Sequence, residues 1–107
     1  MLIPVLKRNV LELRTLGNKK PGAEASYLKL LGTELQQLAS ELCMQAVSYY
    51  AAPYIRDALV YGYNEEPVGP DYAAPLMPQY LNYRKTAIYA GSNEIQRNIM
   101  AKLVLGM

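Results

Sequence analysis

Leucines recur at Leu28, Leu31, Leu35, Leu38 and Leu42, with Tyr49 continuing the three-four rhythm and only Gln45 interrupting it. Steps of three and four place side chains on one face of an α-helix, because the backbone turns once every 3.6 residues. Ser26, just ahead of the first leucine, is a good N-cap. A helix of about 24 residues spans roughly 36 Å at 1.5 Å per residue. Such a length is stable in water only when other helices lie beside it, so the leucine stripe is read as the core face of a bundle. Gly32, inside the pattern, costs about 1 kcal/mol relative to Ala. It is read as the mark of a close helix crossing.

The same periodicity appears at Ile3, Leu6, Val10 and Leu13, widened by Leu2, Val5 and Leu16, and gives a helix over residues 3 to 16. Pro4 suits its first turn and Gly17 its end. Residues 18–22 then form a connecting loop. From 51 to 78 the texture changes: five of the seven prolines fall here (Pro53, Pro67, Pro70, Pro75, Pro78), with Gly62, Gly69 and the acidic pair Glu65 and Glu66. Regular helix cannot pass through that density of proline. Residues 54 to 61 suit a short helix or an extended piece equally. Tyr61, Tyr63 and Tyr72 need a surface to pack on: the domain's own helices are the first expectation, and a subunit neighbour or a ligand cleft is the alternative. After Pro78 helix resumes through Tyr80, Leu81, Tyr83, Arg84, Ala87 and Ile88, breaks at Gly91 and restarts from Ser92 or Asn93. Ile95, Ile99 and Leu103, with Met100 and Val104, form the expected buried face of this last helix. No strand pattern or internal repeat is present. The expected fold is all-α, a four-helix bundle with a proline-rich excursion at about 51–78, as one domain over residues 1–107.

Composition narrows what such a domain can do. At 107 residues, 51% of them apolar, the chain can bury a modest core and is near the size at which oligomer contacts help. No apolar run approaches the roughly 18 residues of a membrane span. The N-terminus lacks the basic, apolar and small-residue order of a signal peptide. A net charge of +2, carried in scattered pairs such as Lys7-Arg8, Lys19-Lys20 and Arg84-Lys85, leaves no nucleic-acid footprint. Cys43 is the only cysteine, which excludes an internal disulfide, suggests a reducing cytoplasmic home and is read as a buried thiol. With no histidine, Ser-His and Cys-His catalysis and most zinc sites are excluded. No metal site is expected.

The remaining signal lies near the C-terminus, in Tyr89-Ala90-Gly91-Ser92-Asn93-Glu94-Ile95-Gln96-Arg97. Gly91 can take backbone angles closed to other residues, and Ser92 or Asn93 can cap the orphan amides of the helix that follows. Asn93 and Gln96, three apart, have the spacing of a capping box. A helix start with small side chains is a place where an anionic group can rest. Ser92 as a cap and Glu94 as a favourable first-turn charge also account for these residues without any ligand.

This string closely resembles the C-terminal signature Y-x-G-[ST]-x-[EQ]-I-[QR]-R of flavin-dependent acyl-CoA dehydrogenases. The segments 26–37 and 80–85 resemble the helices ahead of it, so the likeness covers most of the chain from Ser26 onward. Nothing reads as the N-terminal helical or middle β domain of those enzymes, so the resemblance implies a C-terminal domain, as a fragment or a short subunit. It implies a part in FAD-dependent α,β-dehydrogenation of an acyl-CoA thioester in lipid catabolism, with other acyl-CoA dehydrogenase domains or subunits as partners in a homo-oligomer. By the same resemblance Gly91 borders the substrate thioester, while Ser92, Asn93 and Glu94 lie at FAD. Glu94 would repel a phosphate, which points it to hydroxyl or amino donors.

In medium-chain-type enzymes the residue between Tyr and Gly is the glutamate base. Here it is Ala90, so no catalytic residue is expected in this chain; other family members carry Gly or Ala there and place the carboxylate on an earlier helix. The chain alone is expected to be inactive and to bind FAD weakly or not at all. The stretch 47–54 also departs from the Gln and glycine-rich turn that touches FAD across a subunit interface in many members. Both departures motivate an alternative, a non-catalytic helical interaction or assembly subunit.

Overall fold

The computed structural model describes residues 2–17 and 22–106. Most of the connecting loop expected at 18–22, including Lys19 and Lys20, lies outside them. Four α-helices are present: α1 (Leu2–Leu16), α2 (Ala23–Val47), α3 (Leu76–Asn82) and α4 (Asn93–Leu105). Tight 3-10 turns occupy Ser48–Ala51, Asp57–Leu59 and Tyr83–Ala87. No strand occurs among the described residues, so the chain is all-α as expected. None of the described helices is long and apolar enough to cross a membrane.

The long helix is where expected, but its polarity is inverted. It opens at Ala23, so Ser26 is not the cap but a buried residue of the first turn. Ser26, Leu30, Thr33, Ser40 and Val47 are the buried residues of α2. Ser26, Thr33, Ser40 and Val47 recur every seven residues, and at 100° per residue each lies only about 20° around the helix from the one before. The leucines lie on the other side, roughly 180° away. Leu38 and Leu42 are 42% and 43% exposed, and Leu28, Leu31 and Leu35 are half-buried. Short hydroxyl side chains can be buried because the helix satisfies them. Thr33 Oγ1 donates to the Lys29 carbonyl at 2.8 Å, and Ser40 Oγ to that of Gln37 at 2.8 Å.

The shorter helices show the same departure. Leu11 is the buried apolar residue of α1, whereas Ile3, Leu6, Val10 and Leu13 are exposed. On α4, Ile95, Ile99, Leu103 and Val104 are exposed, and Met100 is half-buried. Apolar periodicity therefore locates an apolar face correctly without saying that the domain itself covers it. Nothing approaches within 4 Å of where a side chain on Gly32 would begin, so that glycine does not mark a close crossing. Cys43 is exposed rather than buried.

Two compact units divide the chain, Met1–Gln36 with Lys85–Met107, and Gln37–Arg84. In the second unit Val47, Ala51 and Ala73 form a small apolar cluster, extended by Met44, Leu76 and Met77. The excursion contains no regular helix: residues 54–61 hold one 3-10 turn, Asp57–Leu59, flanked by open chain. Gly69 has φ +77, and a Cβ there would fall inside the Tyr50 ring, so both the backbone and the space require glycine. Tyr61 and Tyr72 are exposed and only Tyr63 is half-buried, so the expected packing of these tyrosines on the domain's own helices is not what two of them do.

Helix resumes earlier than Pro78, at Leu76, and Pro78 falls in its first turn, where a missing N–H removes no helical bond. It also ends earlier, passing at Tyr83 into the 3-10 turn rather than running to Ile88. Gln37 Nε2 lies 3.3 Å from the Tyr83 carbonyl oxygen and 3.4 Å from that of Arg84, satisfying the carbonyls that this change of winding frees. The Arg84 guanidinium lies 4.3 Å from the centre of the Tyr80 ring.

Candidate functional site

The signature loop is strung between two buried residues, Thr86 before it and Asn93 after it. Both are met by the same turn of α2. Lys29 Nζ donates to Asn93 Oδ1 at 2.8 Å, and Thr33 Oγ1, four residues on, lies 3.4 Å from the Thr86 carbonyl oxygen. A spacing of four puts the two side chains one above the other on a helix. One turn of one helix thus fixes both ends of the loop.

Between these anchors the backbone winds tightly. The Ile88 and Tyr89 amides both donate to the Lys85 carbonyl, at 2.9 and 3.2 Å. Ala90 and Gly91 follow with φ of +56° and +86°, two successive left-handed residues. For glycine this costs nothing, whereas for alanine the left-handed region costs about 1–2 kcal/mol. Ser92 then returns to extended angles and starts α4 as its N-cap, accepting the Ile95 amide at 3.3 Å.

The cap is therefore Ser92 rather than Asn93, and the expected Asn93–Gln96 capping box does not form. Asn93 is the first helical residue, with its side chain given to Lys29. The Gln96 amide instead reaches back along the loop to the Ala90 carbonyl oxygen, at 3.3 Å.

Glu94 occupies the first turn of α4. Its carboxyl is held below the ordinary value of 4.5 first by its own backbone amide, then by the Ser92 hydroxyl, with Arg97 and Lys29 adding favourable charge. Ser92 consequently works in both directions, accepting from Ile95 and donating to Glu94. Arg97 also approaches Glu34 of α2 at 3.6 Å, an exposed pair that adds little stability.

Of the residues singled out from the sequence, Gly91, Ser92, Asn93 and Glu94 form one continuous surface step: Asn93 is buried, Gly91 and Ser92 are half-buried, and Glu94 is exposed. Ala90 is exposed and presents only a methyl group, which can neither take nor give a proton. Lys29, Thr33, Thr86 and Gln96 were missed as parts of this site. The heptad of small hydroxyl residues at 26, 33 and 40 is the signal that could have exposed the role of Thr33. Gln96 stands in the signature and in the expected capping box, with a different partner, and Lys29 carries no comparable mark. A separate cavity of about 330 Å³ in the excursion, bordered by Tyr63, Glu65 and Asp71, involves none of these residues.

The sequence that carries this loop and helix start matches a known family. The family model described as acyl-CoA dehydrogenase, C-terminal domain, matches residues 5–105, and the chain belongs to that family. No curated protein and no solved structure matches it.

Two consequences of the site geometry can be measured. Replacing Lys29 with Met removes the donor to buried Asn93 and is expected to lower stability by about 1–3 kcal/mol, read by urea denaturation. Glu94 has a folded pKa below its unfolded one, so its contribution is present above the unfolded pKa and is lost as pH falls through the folded one. Between about pH 5 and pH 3 the thermal midpoint of the natural chain should therefore fall further than that of Glu94→Gln.

Proposed function

We propose that residues 90–94 form one wall of a flavin and acyl-CoA thioester site in an assembled acyl-CoA dehydrogenase. The observation that carries this reading is the left-handed pair Ala90–Gly91 opening directly onto the Ser92 cap of α4, held at both ends from α2. Gly91 has no side chain of its own, so its backbone can form part of a thioester wall. Ser92 supplies a hydroxyl, and the ionised Glu94 accepts from ribose hydroxyl or adenine amino donors while disfavouring phosphate. FAD, when bound, accepts the hydride released as the acyl chain is dehydrogenated.

The proton-abstracting base is assigned to a residue outside this signature, since Ala90 stands at the family position where some members carry it. Within such an enzyme this chain orients the cofactor and encloses the thioester rather than moving the proton. Oxidation of acyl-CoA therefore belongs to the assembled protein.

The exposed leucine face of α2 and the exposed stripe of α1 favour a second reading alongside the first, in which the chain serves as an assembly surface, catalytic or not. Both faces fit contacts with further acyl-CoA dehydrogenase domains or with a second copy of the chain.

The two readings separate experimentally. Titration of FAD into the isotopically labelled chain is expected to shift amide resonances at residues 91–94, approaching saturation only at millimolar flavin. Shifts centred elsewhere, or none at these residues, would remove the site reading. Sedimentation of the purified chain is expected to show association that Leu38→Lys weakens; a monomer at all concentrations would count against the assembly reading.

A further inference from the structure

Gln96 lies on α4, four residues beyond the Ser92 cap, and it belongs to neither the cap nor the wall assigned above. Its side chain nevertheless turns back over the loop. Nε2 donates to the Ala90 carbonyl oxygen at 3.3 Å, and a Cβ added to Gly91 would stand 2.6 Å from the same nitrogen. The amide group thus lies across Gly91 and grips the residue before it. That residue, Ala90, is a non-glycine held at φ +56. Its backbone does not choose this region unaided, so something must compensate for it.

We propose that Gln96 is the positioning residue of the signature turn: its side-chain amide locks Ala90 and Gly91 in their left-handed pair and so sets the backbone wall shown to the thioester. The inference rests on the reading of residues 90–94 as that wall. The physical requirement is narrow. The side chain must donate a hydrogen bond, must reach back six residues, and must find position 91 without a Cβ. Glutamine meets the first two conditions and Gly91 the third. The same geometry assigns a further reason for glycine at 91, beyond its own φ of +86: any side chain would displace the brace.

The test uses nuclear magnetic resonance on the full chain and needs no flavin. A left-handed residue gives a strong NOE between its own amide and α protons, and that signature at Ala90 is the readout. In Gln96→Ala and in Gln96→Glu, which keeps the shape and loses the donor, the signature is expected to be lost while the thermal midpoint changes little. Gln96→Arg restores a donor with sufficient reach and is expected to retain it.

Gly91→Ala should disturb Ala90 in the natural background and have a smaller effect once Gln96 is already Ala, since the collision is then gone. Persistence of the left-handed signature in both Gln96→Ala and Gln96→Glu would overturn the proposal, as would equal effects of Gly91→Ala in the two backgrounds. None of these outcomes depends on cofactor binding. A failed FAD titration would remove the wall and leave the brace standing, and a failed brace would leave the wall.

Discussion

The signature region depends on one turn of α2, where Lys29 and Thr33 meet the two ends of the loop. Each contact joins residues far apart in sequence, 64 positions for Lys29 and Asn93 and 53 for Thr33 and Thr86. The Lys29 contact supplies the partner of buried Asn93, where omission costs more than a surface hydrogen bond returns. Fixing both ends of the six-residue stretch 87–92 removes much of its freedom. Under the proposed site reading, the tight winding at 88–92 would be a prepared surface, with binding energy used for orientation rather than for ordering.

That arrangement explains why α2 buries hydroxyls and leaves leucines at the surface. A face packed closely inside the fold suits short side chains that its own helix can satisfy, as it does at Thr33 and Ser40. The leucines then lie on the side left over. Exposed apolar faces of this extent on a small domain are a thermodynamic cost in water, and contact with another protein surface relieves it. In α2 and α4, polar anchoring is buried while much of the apolar stripe stays accessible.

This reversal also marks what could be read from the sequence. Helix existence, the long reach of α2, the non-helical excursion and the signature residues 90–94 were all legible, because periodicity, proline density and local motif spacing act within a few residues. Which face of α2 is covered was not, since Leu31 and Leu35 obey the same 3.6-residue repeat whether they meet the chain's own core or another surface. The choice between Ser92 and Asn93 as the cap was open for a related reason: both have suitable side chains, but a long-range partner, Lys29, takes that of Asn93, so Ser92 is the cap and the Asn93–Gln96 capping box does not form. Local rules yield wherever a distant group makes a stronger claim on the same atom.

The retention of a left-handed turn at Ala90 separates structural from chemical demands on the site. Where a carboxylate occupies this position, the turn could be explained as the means of aiming it. Here the side chain is a methyl group and aims nothing, yet the backbone keeps φ +56 and Gln96 still holds its carbonyl. Nor does the nearby Glu94 inherit the task. Its carboxylate is engaged by its own amide and by Ser92, and these partners stabilise the charged form and lower its basicity. A group made a weaker base is less suited to abstracting a proton. The turn in this chain therefore does not depend on a reactive side chain at position 90.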